Sequence, residues 1–443
     1  MFSIFNTLTT KKAEFIPIDK EDVRIYFCGP TVYNELHIGN YRAALVADLL
    51  SKTLKGIYPK VTFVSNITDI DDKIITEASK QSCSINELTQ KYYKKFMNDA
   101  DILGISKPDL QPFATDYVGE MIDYIQTLLK NKSAYEINGN VLFEVNKFTN
   151  YGCLSGRCIE EQDSGARVKI EDYKKNPNDF TLWKPSLANE PGWESPWGYG
   201  RPGWHLECSV MSESVLGVPF DIHGGGNDLK FPHHDNEIAQ TCGFHNSSDP
   251  TCFAKYWVHN GFLNLADEKM SKSLGNVVYI DDLLKEFKGN EIRLALLSTH
   301  YRQPIPWSLN LLKQAASVAR KISRFTSSYT TKSKFFPGSN IGKAILDDLN
   351  TPKALAIMQS VITNPKKFDI DQEISTFRYI FEGSKQDLSL SREDQDKINQ
   401  LIKLRLKARE NGDYQAADKI RDELNKMHVS IKDKNGKTEW EIL

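Results

Sequence analysis

The sequence predicts an α/β fold, in which a Rossmann-like domain is split by an insertion and followed by a helical bundle and a small C-terminal α+β element. Three observations support this prediction. A strand, a glycine-containing loop, a helix and a second strand follow one another near the N-terminus, which is the order of a βαβ unit. The β-prone pattern resumes only from about residue 219. The last third has mainly helical periodicity.

The first βαβ unit is predicted directly from local patterns. Residues 23–27 and 61–65 are strand-like, and residues 42–50 have the pattern of a helix between them. Cys28 follows the first strand, at the end of a parallel sheet where ligands bind. The run H-I-G-N at residues 37–40 falls near the start of the helix, where backbone N–H groups favour anions. Alone, that run has little specificity.

A segment from about residue 138 to residue 204 has the character of an insertion. Residues 141–145 are strand-like, and the glycine, proline and tryptophan content of residues 183–204 is typical of irregular, well-packed loops. The strand and helix patterns then resume at residues 221–223 and 232–240. We therefore expect an inserted module between two halves of the first domain.

Composition describes an ordinary globular protein. The 443 residues are 26% charged and 40% hydrophobic. We expect no signal peptide, and no window reaches the roughly 18 apolar residues of a membrane span. The seven cysteines are odd in number and scattered, which predicts reduced thiols in the cytoplasm and assigns any cysteine site to metal binding or catalysis.

A five-residue run with two lysines and two serines, Lys269-Met270-Ser271-Lys272-Ser273, predicts a phosphate-handling loop. Ammonium and hydroxyl groups at this density suit a polyphosphate whose charge shifts during a reaction. Gly275, just after the run, would let the loop move. The alternative is a solvated turn, which is the commoner role of basic pentapeptides.

Two cysteines, a histidine and a glutamate form the candidate metal set. Residues 232–240 have the pattern of a helix with proline in its first turn, so His233 and Glu237 share one face. Such a pair alone is more often a surface hydrogen bond. Cys28 and Cys208 can both reach this helix in a split βαβ fold. One imidazole, one carboxylate and two thiolates make a plausible zinc set.

The net charge is near zero, with 56 basic and 58 acidic residues, so a polyanionic partner must bind a local patch. Residues 302–346 contain eight Lys or Arg residues and no Asp or Glu. Apolar residues recur there at helical spacing, which places the charges along one helix face. A solvated helix face is the alternative, but the lack of compensating acids favours contact with a phosphate backbone.

Six runs of the sequence belong together: C-G-P-T-V-Y at 28–33, H-I-G-N at 37–40, N-I-T-D-I-D-D-K at 66–73, R-P-G-W-H-L-E-C at 201–208, H-G-G-G-N-D at 223–228 and K-M-S-K-S at 269–273. In these runs the chain closely resembles the cysteinyl-tRNA synthetases, a family of class I aminoacyl-tRNA synthetases. The resemblance extends from about residue 26 to the C-terminus. It implies a class I synthetase catalytic domain and a helical anticodon-binding region.

The resemblance also implies a reaction and its residues. The enzyme would activate L-cysteine with ATP to cysteinyl adenylate, release pyrophosphate, and transfer cysteine to the 3′ end of tRNA(Cys). The implied zinc ligands are Cys28, Cys208, His233 and Glu237. The implied cysteine-binding residues are Gly29, Thr68, Trp204 and Asp228. The implied ATP-binding residues are Gly39, Asn40 and Lys272, with Mg²⁺ accompanying ATP. The implied catalytic residues are His37, Lys269 and Lys272.

Zinc would separate cysteine from serine, because it ionises a thiol while a hydroxyl is a far poorer ligand. Pockets that differ by one small group discriminate only about 10- to 200-fold, and the insertion is too small for a separate editing domain. Four protein ligands already complete a tetrahedron, so we expect Glu237 to be held weakly when substrate sulfur binds. Position 40 departs from the class signature, since Asn40 replaces a second histidine and cannot carry a positive charge.

The predicted domain boundaries follow the resemblance and the patterns. They are 1–125 and 205–300 for the two catalytic halves, 126–204 for the insertion, 301–400 for the helical bundle, and 401–443 for a helical hairpin and β-hairpin that recognise the anticodon. We expect a cytoplasmic monomer. Trp440, in the terminal hairpin, is either a core anchor or a base-stacking platform. Two other functions stay open: a ligase that joins cysteine to an amino sugar, and a noncatalytic tRNA-binding protein.

Overall fold

The computed structural model describes residues 1–157, 173–187, 190–265, 268–269, 277–382, 392–426, 429–434 and 437–442. The chain divides into two compact units, Met1–Ser384 and Lys385–Leu443. No helix within the described ranges is both long and apolar enough to cross a membrane.

The strands are β1 (Ser3–Asn6), β2 (Lys11–Glu14), β3 (Val23–Phe27), β4 (Val61–Ser65), β5 (Ala134–Ile137), β6 (Asn140–Phe143), β7 (Phe180–Pro185), β8 (Gly200–Pro202), β9 (Phe220–Gly226), β10 (Ala254–Asn260), β11 (Leu263–Leu265), β12 (Glu268–Lys269), β13 (Ile305–Trp307), β14 (Val429–Lys434) and β15 (Lys437–Ile442). The α-helices are α1 (Ile38–Lys55), α2 (Asp72–Gln81), α3 (Ile85–Ile102), α4 (Val118–Lys130), α5 (Trp204–Leu216), α6 (Asp235–His245), α7 (Ile280–Leu284), α8 (Gly289–Leu297), α9 (Leu309–Thr326), α10 (Asn340–Ile345), α11 (Thr351–Thr363), α12 (Ile370–Phe381), α13 (Arg392–Glu410) and α14 (Tyr414–Lys426).

A parallel sheet in the order β10-β9-β3-β4 forms the centre of the first unit. α1 connects β3 to β4, so the predicted βαβ unit is confirmed. β9 pairs with the other side of β3, with Ile222 opposite Ile25, and both side chains are fully buried. The chain therefore leaves the sheet after β4 and returns to its middle, which is the split arrangement that the sequence predicts.

An antiparallel sheet, β5-β6-β7-β8, is formed by the chain between β4 and β9. Its core includes Trp183, which is fully buried. The strand expected at residues 141–145 ends at Phe143, because Val145 begins a short 3₁₀ turn. Helices α2 to α4 precede this sheet, so the excursion from the parallel sheet contains both helices and strands.

Helix α1 begins with a reciprocal cap. The Nδ1 atom of His37 accepts a hydrogen bond from the Gly39 N–H at 3.1 Å, and Asn40 Oδ1 accepts one from the His37 N–H at 3.1 Å. These bonds satisfy backbone donors that have no partner inside the helix. The predicted position of H-I-G-N at a helix start is confirmed.

Arg42, on the first turns of α1, is 1% exposed and binds backbone rather than a carboxylate. Its guanidinium donates to five carbonyl oxygens, those of Gly261, Phe262, His300, Tyr301 and Gln303. Burial lowers the pKa of Arg42 to about 10, so the group is still a cation at neutral pH. Arg42 thereby joins α1 to the two chain segments that lead into β11 and β13.

Helices follow β13 as the sequence predicts. α9 buries an apolar face that includes Leu312, Ala315 and Ile322, whereas all eight basic residues of the 302–346 stretch are exposed.

In the second unit, α13 and α14 flank Gly412, which has a positive φ of 72°. β14 and β15 form the expected antiparallel pair, with Ile431 opposite Trp440. The turn residues 435–436 and the Trp440 side chain lie outside the described structure, so both roles proposed for Trp440 stay predictions.

Candidate metal centre and active site

The four predicted metal ligands meet at the carboxyl end of β3. Cys28 follows β3, Cys208 lies on α5, His233 precedes α6, and Glu237 lies in the first turn of α6. Their donor atoms all lie within 4.8 Å of one another. The Sγ atoms of the two cysteines are 3.5 Å apart. His233 Nε2 is 3.0 Å from Glu237 Oε1, and Cys28 Sγ is 3.6 Å from the same oxygen.

The separations of 3.5 and 3.6 Å fit a zinc ion, and the 3.0 Å contact between His233 and Glu237 is slightly shorter than zinc requires. Bond lengths of about 2.0–2.3 Å in a tetrahedron place neighbouring donor atoms about 3.3–3.8 Å apart. Cys208, His233 and Glu237 are buried, so water cannot neutralise the charge of their donor atoms. A buried set of two thiols, an imidazole and a carboxylate therefore has both the spacing and the chemistry for a divalent cation.

The helix that contributes Glu237 starts later than the sequence predicts. Regular α6 begins at Asp235, because Phe231 has extended backbone angles (φ −140°, ψ 134°) and residues 230–234 form an irregular turn. His233 nevertheless reaches Glu237, four residues further on, at 3.0 Å. The predicted pairing of these two side chains is therefore present even though the regular helix is shorter.

A second, overlapping group was not predicted. His223 and His234 can also hold an ion together with Cys28 and Glu237. His223 Nε2 is 2.7 Å from Glu237 Oε2, and His234 Nε2 is 3.3 Å from Cys28 Sγ. His223 lies in the H-G-G-G-N-D run, and His234 directly follows His233. Both histidines therefore lie in or beside motifs that the sequence analysis singles out. Their spacing alone does not indicate that they point into one site.

Protonation in this cluster follows from burial and mutual charge. Burial, with added effects from Cys208 and Glu237, raises the pKa of the Cys28 thiol well above its ordinary range. Burial opposes ionisation of Glu237 too, but the nearby His223 and His233 lower the pKa of Glu237 well below its ordinary range. His233 has a raised pKa despite burial, because Glu237 and Cys208 favour its cation. Positive charge is thus already favoured where a metal would bind.

Gly29 directly follows Cys28, Thr68 follows β4, and each is held by a hydrogen bond. The Gly29 N–H donates to Asn66 Oδ1 at 2.8 Å, and the Thr68 hydroxyl donates to Glu207 Oε2 at 2.8 Å. Burial raises the pKa of Glu207 well above its ordinary range. Glu207 belongs to the R-P-G-W-H-L-E-C run, and its carboxylate accepts the hydrogen bond of the Thr68 hydroxyl, a role that the sequence does not indicate.

Replacing Gly29 by alanine is expected to disturb this loop. A methyl group on Gly29 would lie 1.6 Å from the Asn66 carbonyl oxygen, so the backbone must shift. Overpacking of this kind costs about 1–3 kcal/mol, measurable by chemical denaturation, and should also raise the KM for cysteine. Gly119→Ala is the matched control, since a methyl group there meets no atom within 4 Å. Equal behaviour of the two variants would contradict the close-approach explanation.

Trp204 and Asp228 are the exposed members of the predicted cysteine site. The Trp204 ring stacks on the His233 ring at a centroid distance of 4.3 Å and remains 37% exposed. His205, next to it, has its Nδ1 2.9 Å from Nδ1 of His233. Asp228 is exposed just beyond the carboxyl end of β9. The structure thus brings Trp204 directly against a predicted metal ligand.

The start of α1 contacts residues 278 and 279, which follow the lysine-rich run in the sequence. The Ile38 N–H donates to the Val278 carbonyl at 2.9 Å, and His37 forms a bridge with Tyr279. Lys269 ends β12, which pairs with β11. Lys272 and the side chain of Lys269 fall outside the described residues. The segments on either side of the run are therefore fixed, and the one after it contacts the helix start that was predicted to bind anions.

Comparison with known protein families shows which family this chain belongs to. Residues 14–317 match the family of class I tRNA synthetase (C) catalytic domains, and residues 393–440 match the cysteinyl-tRNA ligase anticodon-binding domain. A cysteine--tRNA ligase from Wolbachia pipientis subsp. Culex pipiens (strain wPip) is 44% identical over 99% of this chain and 98% of the relative. The chain belongs to the cysteine--tRNA ligase family. The cysteine--tRNA ligase of Pelagibacter ubique (strain HTCC1062) is 43% identical over 99% of this chain and 98% of its own length.

Solved structures support the class I fold of this family member. The methionyl-tRNA synthetase of Mycobacterium tuberculosis bound by methionyl-adenylate has a TM-score of 0.56 at 12% identity, covering 81% of this chain and 88% of that chain. The leucyl enzyme of Agrobacterium radiobacter K84, solved as a ternary complex, has a TM-score of 0.57 at 11% identity, covering 83% and 84%. At this identity the likeness establishes the fold alone. The predicted family and fold class are both confirmed.

Proposed function

We propose that this chain activates L-cysteine with ATP to cysteinyl adenylate, releases pyrophosphate, and transfers the cysteinyl group to the 3′ end of tRNA(Cys). The observation that supports this most directly is the convergence of two thiols, an imidazole and a carboxylate at the carboxyl end of β3, within a cysteine--tRNA ligase family member. The geometry suits recognition of a substrate sulfur.

Cys28, Cys208, His233 and Glu237 are proposed to hold one zinc ion. A zinc ion there would supply Lewis acidity that favours the thiolate of cysteine over the hydroxyl of serine. Glu237 is proposed as the weakest ligand, because its other carboxylate oxygen, Oε2, already lies 2.7 Å from Nε2 of the buried His223. That contact can hold the carboxylate in place when the substrate sulfur arrives.

The remaining cysteine pocket is proposed to consist of Gly29, Thr68, Trp204 and Asp228. Gly29 lets the Asn66 backbone approach closely beside Cys28, and Thr68 is held in place by Glu207. Trp204 stacks on His233 and is partly exposed, so it can cover the substrate from the solvent side. Asp228 is a carboxylate at the rim and would pair with the ammonium group of cysteine.

ATP is proposed to bind at the start of α1, with Mg²⁺ accompanying its phosphates. Nδ1 of His37 accepts a hydrogen bond from the helix, so a neutral ring carries its proton on Nε2 and can donate it to a phosphate oxygen. Gly39 allows close approach, while Asn40 acts through the cap rather than by charge. Lys269 and Lys272 are proposed to neutralise phosphate charge as the substrate carboxylate attacks and pyrophosphate leaves.

The tRNA is proposed to contact the exposed basic residues of the 302–346 stretch, the helical bundle of residues 301–400 and the terminal element of residues 401–443. Two basic residues of α9, Lys321 and Arg324, are exposed. Arg320 is less available because its guanidinium lies 3.6 Å from a Glu291 oxygen. The acid-free character of the stretch supports a phosphate-backbone contact.

Reversing the charges of Lys321 and Arg324 to glutamate is expected to weaken tRNA binding. If each contacts one phosphate, the slope of log affinity against log salt should fall by about 2. Cysteine-dependent exchange of pyrophosphate into ATP should not change, because it does not require tRNA. A matched double variant, Lys107→Glu with Lys130→Glu, reverses two exposed lysines outside the stretch. An unchanged salt slope in the α9 variant would refute the proposed contact.

Two assays test the function as a whole. Cysteine-dependent ATP–pyrophosphate exchange separates a catalytic protein from a noncatalytic tRNA-binding one. Transfer of labelled cysteine to tRNA, compared with transfer to an amino sugar, separates the proposed ligase from a small-molecule ligase. Charging of tRNA with cysteine is expected, and exchange activity without charging of tRNA would argue against the proposal.

A further inference from the structure

Two cysteines face each other away from the candidate metal centre. Cys242 lies near the end of α6, and Cys252 lies in the 3₁₀ turn that follows. Their Sγ atoms are 3.5 Å apart. A disulfide needs an S–S distance of about 2.05 Å, so the two sulfurs would have to approach by only about 1.5 Å.

The loop between the two cysteines is folded back by its own hydrogen bonds. Asn246 ends α6 in a left-handed conformation (φ 51°), and the Ser247 N–H donates to the Cys242 carbonyl at 2.9 Å. The Cys252 N–H donates to the Asp249 carbonyl at 3.0 Å. The close approach of the sulfurs is therefore built into the backbone of this turn.

The two sulfurs differ in exposure and acidity. Cys242 is 1% exposed but borders an open cleft of about 360 Å³ that Lys132 and Lys147 also line. Cys252 is partly exposed. A hydrogen bond from the Cys242 thiol lowers the pKa of Cys252, and burial of Cys252 opposes this only in part. Cys252 is thus the better nucleophile, and Cys242 is placed to act as the resolving thiol.

We propose that Cys242 and Cys252 form a reversible intramolecular disulfide by exchange with a low-molecular-weight disulfide. The Cys252 thiolate attacks one sulfur of that disulfide, forming a mixed disulfide and releasing one small thiolate. Cys242 then loses its proton to solvent and attacks the Cys252 sulfur, which releases the second small thiolate. The protein loses two electrons and two protons, and the small disulfide is reduced to two thiols.

Two other thiol pairings have to be distinguished from this one. Cys28 and Cys208 are also 3.5 Å apart, but they are proposed to hold zinc, which protects them from oxidation. Cys153 acts electrostatically on Cys242 and is a possible competing partner. The sequence allows a clean distinction, because residues 231–255 contain no Lys or Arg before Lys255. Trypsin therefore leaves Cys242 and Cys252 on one peptide, apart from every other cysteine.

The test uses the full-length, zinc-loaded protein in glutathione disulfide, followed by alkylation, trypsin digestion and mass spectrometry. We expect the 231–255 peptide to lose both alkylatable thiols, carry no glutathione, and regain both thiols after reduction, while zinc content is unchanged. A peptide that stays doubly alkylated, that carries glutathione without an internal bond, or that is linked to Cys153 would overturn the proposal.

Two variants test the order of the steps. Cys242→Ser should accumulate a glutathione adduct on Cys252, because the second attack is lost. Cys252→Ser should accumulate several-fold less adduct on the buried Cys242. Cys83→Ser, which changes a thiol elsewhere, should form the internal disulfide like the unaltered protein. Equal adduct levels in the first two variants would refute Cys252 as the attacking sulfur, and the measurement on the unaltered protein does not depend on either variant folding.

Discussion

Cysteine activation is expected to fall by on the order of 100-fold or more when Cys208 is replaced by serine, together with loss of bound zinc. Cys208 supplies one of four donor atoms that lie within 4.8 Å of one another, and it is 1% exposed. A hydroxyl in its place binds zinc poorly. Zinc content per chain and the kcat/KM for cysteine in ATP–pyrophosphate exchange measure the two effects.

The Cys208→Ser variant should also lose its selectivity for cysteine over serine. Without zinc, cysteine and serine differ only in one atom, and shape alone would leave discrimination of no more than about 10- to 200-fold. Removal of zinc from the unaltered protein by a chelator should have the same effect, and adding zinc back should reverse it. Cys83→Ser is the control, because Cys83 lies outside the metal cluster. Discrimination well above about 200-fold in metal-free protein would contradict selection by the metal.

Replacing Arg42 by methionine is expected to lower the free energy of unfolding by about 3–5 kcal/mol. Methionine keeps much of the volume but removes a cationic donor from five carbonyl oxygens, and its hydrogen bonds to those of Gly261 and Tyr301 are fully buried. The two segments that Arg42 joins lead into β11 and β13, so activity should fall as well. Chemical denaturation measures the stability change.

Arg24→Met is the matched comparison. Arg24 also donates to backbone carbonyls, but only to those of Leu216 and Pro219, and its side chain is partly exposed. Its replacement should cost about 1 kcal/mol. If both variants lose the same stability, the importance assigned to the buried position of Arg42 is wrong.

Local patterns predicted much of the fold. The β3-α1-β4 unit was predictable because both strands are rich in β-branched and aromatic residues and because a helical pattern lies between them. The clustering of the four candidate metal ligands was predictable because thiol, imidazole and carboxylate groups have specific chemistry and because their motifs resemble a family. Even there, the irregular turn before Asp235 was missed, since proline in a first turn does not reveal the extended backbone at Phe231.

Contacts between distant segments were not predictable. Arg42 looked like an ordinary arginine in a helix, because its five partners lie more than 200 residues further along the chain. The second histidine group had the same difficulty: His223 comes from β9 and His234 from the turn before α6, and only their packing brings both to Glu237. The periodicity of a helix or strand does not predict contacts between segments that are far apart in the sequence.

The position of β9 in the middle of the sheet has a consequence for how the chain is made. β3 pairs with β4 soon after synthesis, but its other edge has to wait for β9, with Ile25 opposite Ile222. At 5–20 residues per second, that interval lasts roughly 10 to 40 s. During that time the nascent chain carries unpaired backbone N–H and C=O groups along one edge of β3, which is the kind of surface that chaperones cover and that other chains can pair with.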